Sequence, residues 1–188
     1  MTEPRRRDAA TTRAAILASA VAEFTEHGYA GAGVRQIAER AGVTAMLINR
    51  YFGSKEQLFA EAVDTSFGPP TIVGRGDTGD LAGDLGRTLA ARTAPGATPL
   101  DPFLLMLRSA SDPKAAAIIR DGIERHAGER FAGLLDGPDN HARAQVGLSL
   151  VAGVLLMRTV IATTALAQFD DERLAALLGQ MFAPVVNP

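Results

Sequence analysis

The stretch Val34–Arg35–Gln36–Ile37–Ala38–Glu39–Arg40–Ala41–Gly42–Val43–Thr44, running on into Ala45–Met46–Leu47–Ile48–Asn49–Arg50–Tyr51–Phe52, decides the fold. In its first half Val34, Ile37, Ala38 and Ala41 recur at spacings of three and four, which makes one face of a short helix. Gly42 ends that helix, Val43 fills the turn, and Thr44 stands where the next helix takes its cap. Small Ala38 lets the two helices cross closely. Ile48 and Phe52, four apart, hold the second helix onto a core and leave Ala45, Met46, Asn49 and Arg50 facing outward. Two short helices meeting at a tight turn, the second with such a face, fit the B-DNA major groove, which is about 12 Å wide.

Upstream, Thr11 or Thr12 is placed to cap a helix reaching about His27, with Ile16, Leu17, Ala20, Val21 and Phe24 on one face and Gly28 as its stop. Residues 1–10 read as a flexible basic arm. Downstream, Ser54–Lys55–Glu56–Gln57 has capping-box spacing for a fourth helix. From 67 to 79 the chain turns to Pro and Gly, as a loop or linker does. Helical patterns return over about 80–94, 100–110, 113–135, 139–167 and 170–183, with no repeat and no convincing strand. The expected class is all-α: a helix-turn-helix domain over 11–60, then a larger helical domain over 61–188.

Composition supports a helical, packed protein. Of 188 residues 47% are hydrophobic, yet only 5% are aromatic and none is Trp, so Ala- and Leu-rich helices are favoured over sheet. With no Cys, disulfides, thiolate metal sites and a cysteine nucleophile are excluded. The net charge of −2 conceals an asymmetry: residues 1–55 carry eight basic and five acidic side chains, a local +3 on a body of −5. A basic head on an acidic body suits a polyanion partner.

The three histidines, His27, His126 and His141, are scattered, and no HExxH, GxSxG or phosphate-binding glycine loop is present. Neither an enzyme nor a cofactor or metal requirement is expected. No apolar segment directly follows Arg5–Arg7, and the one long apolar stretch, Val146 to Ala167, carries Arg158. That stretch reads as a buried helix of a soluble, cytoplasmic protein with no membrane partner.

On the outward face of the second short helix, Asn49 is suited to adenine, Arg50 to guanine or a phosphate, and Met46, with Leu47 beside it, to a thymine methyl. The Tyr51 hydroxyl, the Lys55 ammonium and the helix N-terminus at Thr44 are suited to phosphates, which fix register without reading sequence.

Residues 12–60 closely resemble the amino-terminal domain of the TetR (tetracycline-repressor-like) family. The resemblance rests on Phe24–Thr25–Glu26–His27–Gly28–Tyr29, Val34–Arg35–Gln36–Ile37–Ala38, Ala41–Gly42–Val43–Thr44 and Tyr51–Phe52–Gly53–Ser54–Lys55–Glu56–Gln57–Leu58, in order and at the right spacing. It implies a three-helix DNA-binding head on a helical ligand-binding body, and a homodimer built through the last two helices. By position, DNA contacts would fall on Arg35, Thr44, Ala45, Met46, Asn49, Arg50, Tyr51 and Lys55. The chain departs from the family at Gly33, where Thr or Ser commonly caps the second helix. It departs again at Asn49, where Tyr is usual, and at Met46–Leu47, where small or polar residues are common.

For the body, 139–167 is expected as one helix of about 43 Å at 1.5 Å per residue. With the helix that follows, it is assigned to a four-helix dimer interface through Val151, Val154, Leu155, Leu166, Leu174, Leu177, Leu178 and Met181. An aliphatic-lined pocket for an unidentified small-molecule effector is expected among Phe103, Met106, Leu107, Ile119, Ile123, His126, Met157 and Ile161, with Arg108 or Arg158 as polar anchor. The expected function is a transcriptional regulator, a repressor released from a pseudo-palindromic double-stranded operator by its ligand. The alternatives are an activator, or a helical scaffold with a vestigial head.

Overall fold

Tertiary packing in the computed structural model, which describes residues 3–74, 79–97 and 101–187, is entirely helix on helix, with no strand among those residues. The helices are α1 (Glu3–Gly31), α2 (Val34–Arg40), α3 (Ala45–Phe52), α4 (Lys55–Phe67), α5 (Leu81–Arg92), α6 (Asp101–Ser109) and α7 (Pro113–Ile123). A π-helical turn over Glu124–Gly128 leads into α8 (Glu129–Ala132). Then come α9 (Asn140–Leu155), a second π-helical turn over Leu156–Val160, α10 (Thr164–Ala167) and α11 (Asp171–Val186). Residues 1–2 of the expected arm and 75–78 of the expected linker lie outside the described residues.

The helices group into two compact units, residues 1–69 with 100–123, and residues 70–99 with 124–188. The sequence reading placed everything beyond residue 60 in one body, whereas α6 and α7 group with the head.

In the first unit, α1 starts well before its expected cap. Residues 3–10, expected as a flexible arm, are helical in backbone, so neither Thr11 nor Thr12 is an N-cap. Gly28 does break the helix, at φ 68° and ψ 174°, and one further turn follows it. Its missing side chain matters twice: the positive φ is strained for L-residues, and a Cβ would lie 2.3 Å from the carbonyl oxygen of Arg108. That close approach is used. The Tyr29 N–H donates to Ser109 Oγ at 2.9 Å, and Arg108 Nη1 donates to the carbonyls of Thr25 and Glu26. Thus α6 satisfies orphan groups at the end of α1.

The core of this unit is continuous from Ile16, Ala20 and Phe24 through Ile37, Ile48 and Phe52 to Leu58, Phe59, Leu105 and Ile119. At its centre Phe24 and Phe59 meet edge to face with centroids 4.9 Å apart, and Tyr29 lies 4.9 Å from Phe59. Both arrangements suit ring quadrupoles.

In the second unit, α5 and α11 pack so closely that a Cβ on Gly86 would lie 2.5 Å from Ala175 O and 2.6 Å from Gly179 N. Leu85, Leu89, Leu174, Leu178 and Phe182 close the crossing. Gly147 of α9 plays the matching part for Phe131, whose ring occupies the space a Cβ would take, at 2.4 Å.

The long helix expected over 139–167 does not run through. It loosens into the π-helical turn, reverses at Ala162 with φ 54°, and restarts as α10. Thr159, Val160, Ile161, Thr163 and Thr164 make this a poor helical sequence, since β-branched side chains lose χ1 freedom against the preceding turn. Arg158 secures the break. Its buried guanidinium donates to Ala90 O and Thr93 Oγ1, both at 2.9 Å, while its Nε donates to Leu166 O at 3.2 Å and its Nη2 pairs with Asp171.

The glycine crossing gives a direct test. Gly86→Val drives two methyls and a Cβ into backbone, not into a movable side chain, so the loss should reach the upper part of the ~1–3 kcal/mol overpacking range. A urea or thermal melt should show it. An unchanged midpoint would mean that α5 and α11 are not in backbone contact.

Candidate nucleic-acid interface

The turn between α2 and α3 is closed by backbone alone. Gly42 adopts φ 67°, the Val43 N–H donates to Ala38 O at 2.9 Å, and the Gly42 N–H donates to Glu39 O at 3.1 Å. This is the six-to-one and five-to-two pairing that ends a helix at a left-handed residue. At the start of α2, Gly33 offers no side-chain cap, and Gln36 Oε1 accepts the Gly33 N–H at 2.9 Å in its place. Thr44 occupies the N-cap position of α3, but its exposed hydroxyl makes no capping bond, contrary to expectation. Ser54 does cap α4, accepting from the Gln57 N–H at 3.1 Å. The reciprocal half of that box is missing, because the Ser54 N–H is held by Phe52 O.

Two ionic braces fix this head from outside. Arg40 at the end of α2 reaches across to α1, donating to Glu23 at 2.9 Å and Glu26 at 3.3 Å, and both carboxylates push its pKa up. Arg13 of α1 pairs with Glu61 of α4 while its guanidinium lies over the Phe52 ring, 4.7 Å from the centroid. Neither brace is legible in the sequence. The partners lie 17 and 48 residues away, so no local spacing could reveal them.

With Ile48 and Phe52 buried at 1% and 4% exposure, the rotation of α3 is set. Met46 is 81% exposed, Asn49 and Arg50 are exposed, and Leu47 is half-buried. Ala45 and Tyr51, also expected at the DNA, are half-buried and pack on the core. Arg35 on α2 is exposed, and neither it nor Arg50 forms an ion pair among the described residues. Lys55 is half-buried with its ammonium 4.7 Å from the Tyr29 ring centroid, and this burial holds its pKa below the usual lysine value. Burial first, then Glu56 and Asp112, push the Tyr29 phenol the other way. One face therefore gathers an apolar tip, an amide and uncommitted cations, while the basic residues around it are spent on structure.

The expected ligand-pocket residues are distributed over both units. Phe103 and Ile119 are buried, Met106 and Ile123 half-buried, and Leu107 and Arg108 exposed, all within the first unit. His126, Met157, Arg158 and Ile161 belong to the second. Both arginines expected as anchors are engaged within the chain: Arg158 at the chain break, and Arg108 at the end of α1. Two clefts in the second unit are lined by other residues. One of about 240 Å³ lies beside Ile72, Leu81 and Leu85, and one of about 540 Å³ lies along Gly83, Arg87, Glu172 and Gly179.

Of the expected interface residues, Val151, Leu155, Leu174 and Leu178 are buried in their own unit, Val154 and Leu166 are half-buried, and Leu177 and Met181 are exposed. The first four sit on the inward faces of α9 and α11, covered by their own chain. From α9 onward the exposed large apolar side chains are Val146 on α9, Met157, Val160 and Ile161 in and just after the π-helical turn, and Leu177 and Met181 on α11.

Head and site together define a helix-turn-helix protein of the DNA-binding class. Residues 16–62 match the family of bacterial regulatory proteins described as the tetR family, and residues 83–186 match the tetracyclin repressor-like C-terminal domain. The chain belongs to the tetR family, whose regulators are non-enzymatic DNA-binding transcription factors. It is similar to the HTH-type transcriptional repressor SCO4008 of Streptomyces coelicolor, with 39% identity over 83 residues, 44% of this chain and 43% of that protein. The matched stretch thus spans under half of that relative. In fold it is similar to the TetR-family regulator SCO0857 of Streptomyces coelicolor, with TM-score 0.58 at 24% identity, covering 95% of this chain and 96% of the other. It is likewise similar to the multidrug binding protein EbrR complexed with malachite green, with TM-score 0.63 at 20% identity over 90% and 96% of the two chains.

Asn49→Ala separates readout from packing. The side chain is exposed, so the melting midpoint should stay put, whereas affinity for a cognate duplex should fall by about 1–3 kcal/mol. Phe52→Ala should instead lower stability by about 3–5 kcal/mol. A drop in melting for Asn49→Ala comparable with that for Phe52→Ala would place Asn49 in the core and not on the DNA face.

Proposed function

We propose that this chain is a dimeric transcriptional repressor that binds a pseudo-palindromic operator through α3 and leaves it when a small molecule binds the body. The observation that carries the reading is the division of α3 into a buried edge, Ile48 and Phe52, and an exposed one, Met46, Asn49 and Arg50. On this reading Asn49 pairs with adenine and Met46 meets a thymine methyl. Arg50 takes guanine or a phosphate, while Arg35, Thr44, Tyr51 and Lys55 bind phosphates. Repression is inferred from the Streptomyces repressor, and ligand control from the drug-binding EbrR. The site of action would be the cytoplasm, where the DNA is.

Dimerisation is supported by the apolar run Asn140–Val160. It is long and apolar enough to cross a membrane, yet only 28% of its most apolar window is buried. Its exposed Val146, Met157 and Val160, with Leu177 and Met181 of α11, are suited to a second copy of the chain. Such a dimer would present two copies of α3 about one helical turn, roughly 34–36 Å, apart.

Two measurements follow. Selection of bound duplexes from a random library should enrich a two-fold-symmetric motif; a folded dimer that enriches nothing at low salt would favour the scaffold reading. Leu177→Asp with Met181→Asp should shift sedimentation toward monomer and abolish selective binding. A persistent dimer would move the interface elsewhere.

A further inference from the structure

Beyond the helix-turn-helix, one more exposed cation stands beside the start of α4. Lys114, in the first turn of α7, extends an exposed side chain to the start of α4, where its Nζ donates to Glu56 Oε1 at 2.7 Å. Glu56 directly follows Lys55, and α4 begins only three residues after α3 ends at Phe52. A residue 58 positions away in sequence is thereby tied to the segment that follows the recognition helix.

The charges around it are Lys55, Lys114, Glu56 and Asp112, formally neutral in sum, and they are not equally committed. Asp112 Oδ1 accepts the backbone N–H groups of Lys114 and Ala115, at 2.9 and 3.0 Å, so it caps α7. Lys55 is turned back over the Tyr29 ring. Glu56 accepts from Lys114, whose side chain remains 72% exposed. An ammonium has three donors in rotatable positions, so one bond to Glu56 leaves two for an incoming oxyanion. Glu56 alone would place negative charge beside a phosphate, and Lys114 offsets it.

We propose that Lys114 is a further phosphate-binding residue of this regulator, contributed by α7 and held in place by Glu56. The inference rests on the DNA-binding reading above. Such a contact carries no sequence information: it adds affinity and orientation on the duplex. It would also make α7 part of the DNA interface, so that any displacement of α7 would be felt in operator affinity.

The test uses the full chain with a duplex enriched by library selection and a scrambled duplex of equal length. Wild-type protein must first bind with a measurable salt dependence; if it does not, the DNA-binding reading fails and not this one. Lys114→Gln should weaken both duplexes by the same factor, about 5–10-fold near 0.1 M salt. It should also lower the slope of log K against log salt by about one. Lys114→Arg should keep the slope. The loss should persist when Glu56→Gln is combined with Lys114→Gln and compared with Glu56→Gln alone. An unchanged slope in Lys114→Gln overturns the proposal. A slope loss that vanishes in the Glu56→Gln background also overturns it, because Lys114 would then only screen Glu56.

Discussion

The structure depends on one constraint: Ile48 and Phe52 must both be buried on a helix of eight residues. At 100° per residue, fixing two positions a turn apart fixes every other side chain on that helix. Removing either from water contributes of order 1.5–3 kcal/mol, more than a short isolated helix can supply from its own hydrogen bonds. Hence α3 exists as a helix because it is packed, and it is oriented by the same contact. The face that remains is set by subtraction: Met46, Asn49 and Arg50 are what the core does not take.

The neighbouring elements serve that placement. The Phe24–Phe59–Tyr29 cluster ties α1 to α4, and Arg13 joins α1, the Phe52 ring and α4. Arg40 ties α2 to α1. Through Ser109, Arg108 and Lys114, α6 and α7 touch the head at the end of α1 and the beginning of α4. These polar contacts are mostly at the surface, where single pairs add little to stability. Their value lies in direction: Arg13, Arg40 and Arg108 hold the helices of the head at fixed angles to one another.

Much of the head was legible in the sequence because its signals are local. The spacing of Ile37, Ala38, Ile48 and Phe52, the Gly42 turn and the Ser54 cap operate within one or two helical turns, and each falls where the pattern placed it. The fold class followed from the same periodicity. The body was less legible because its determinants are distant. An apolar run from 139 to 167 reads as one helix, yet the break comes from Arg158 finding Ala90, Thr93 and Asp171, up to 68 residues away. The burial of Val151 and Leu174 within their own chain is hidden from the sequence for a related reason. Periodicity shows that a helix has an apolar face but not whether its own chain or another covers it. The flexible arm was misjudged because Thr11 and Thr12 are good caps only if the chain before them leaves the helix.

The orientation of α3 decides which of its atoms can meet the bases. The most direct measurement replaces each thymine of a selected duplex, one at a time, by uracil, which removes only the C5 methyl. Binding by wild-type and Met46→Ala protein is then compared. With Ile48 and Phe52 turned inward, wild-type protein should lose affinity at one symmetry-related thymine in each half-site, and Met46→Ala should be indifferent there. Equal sensitivity in both proteins, or none in either, would contradict the orientation of α3 on which the rest is built.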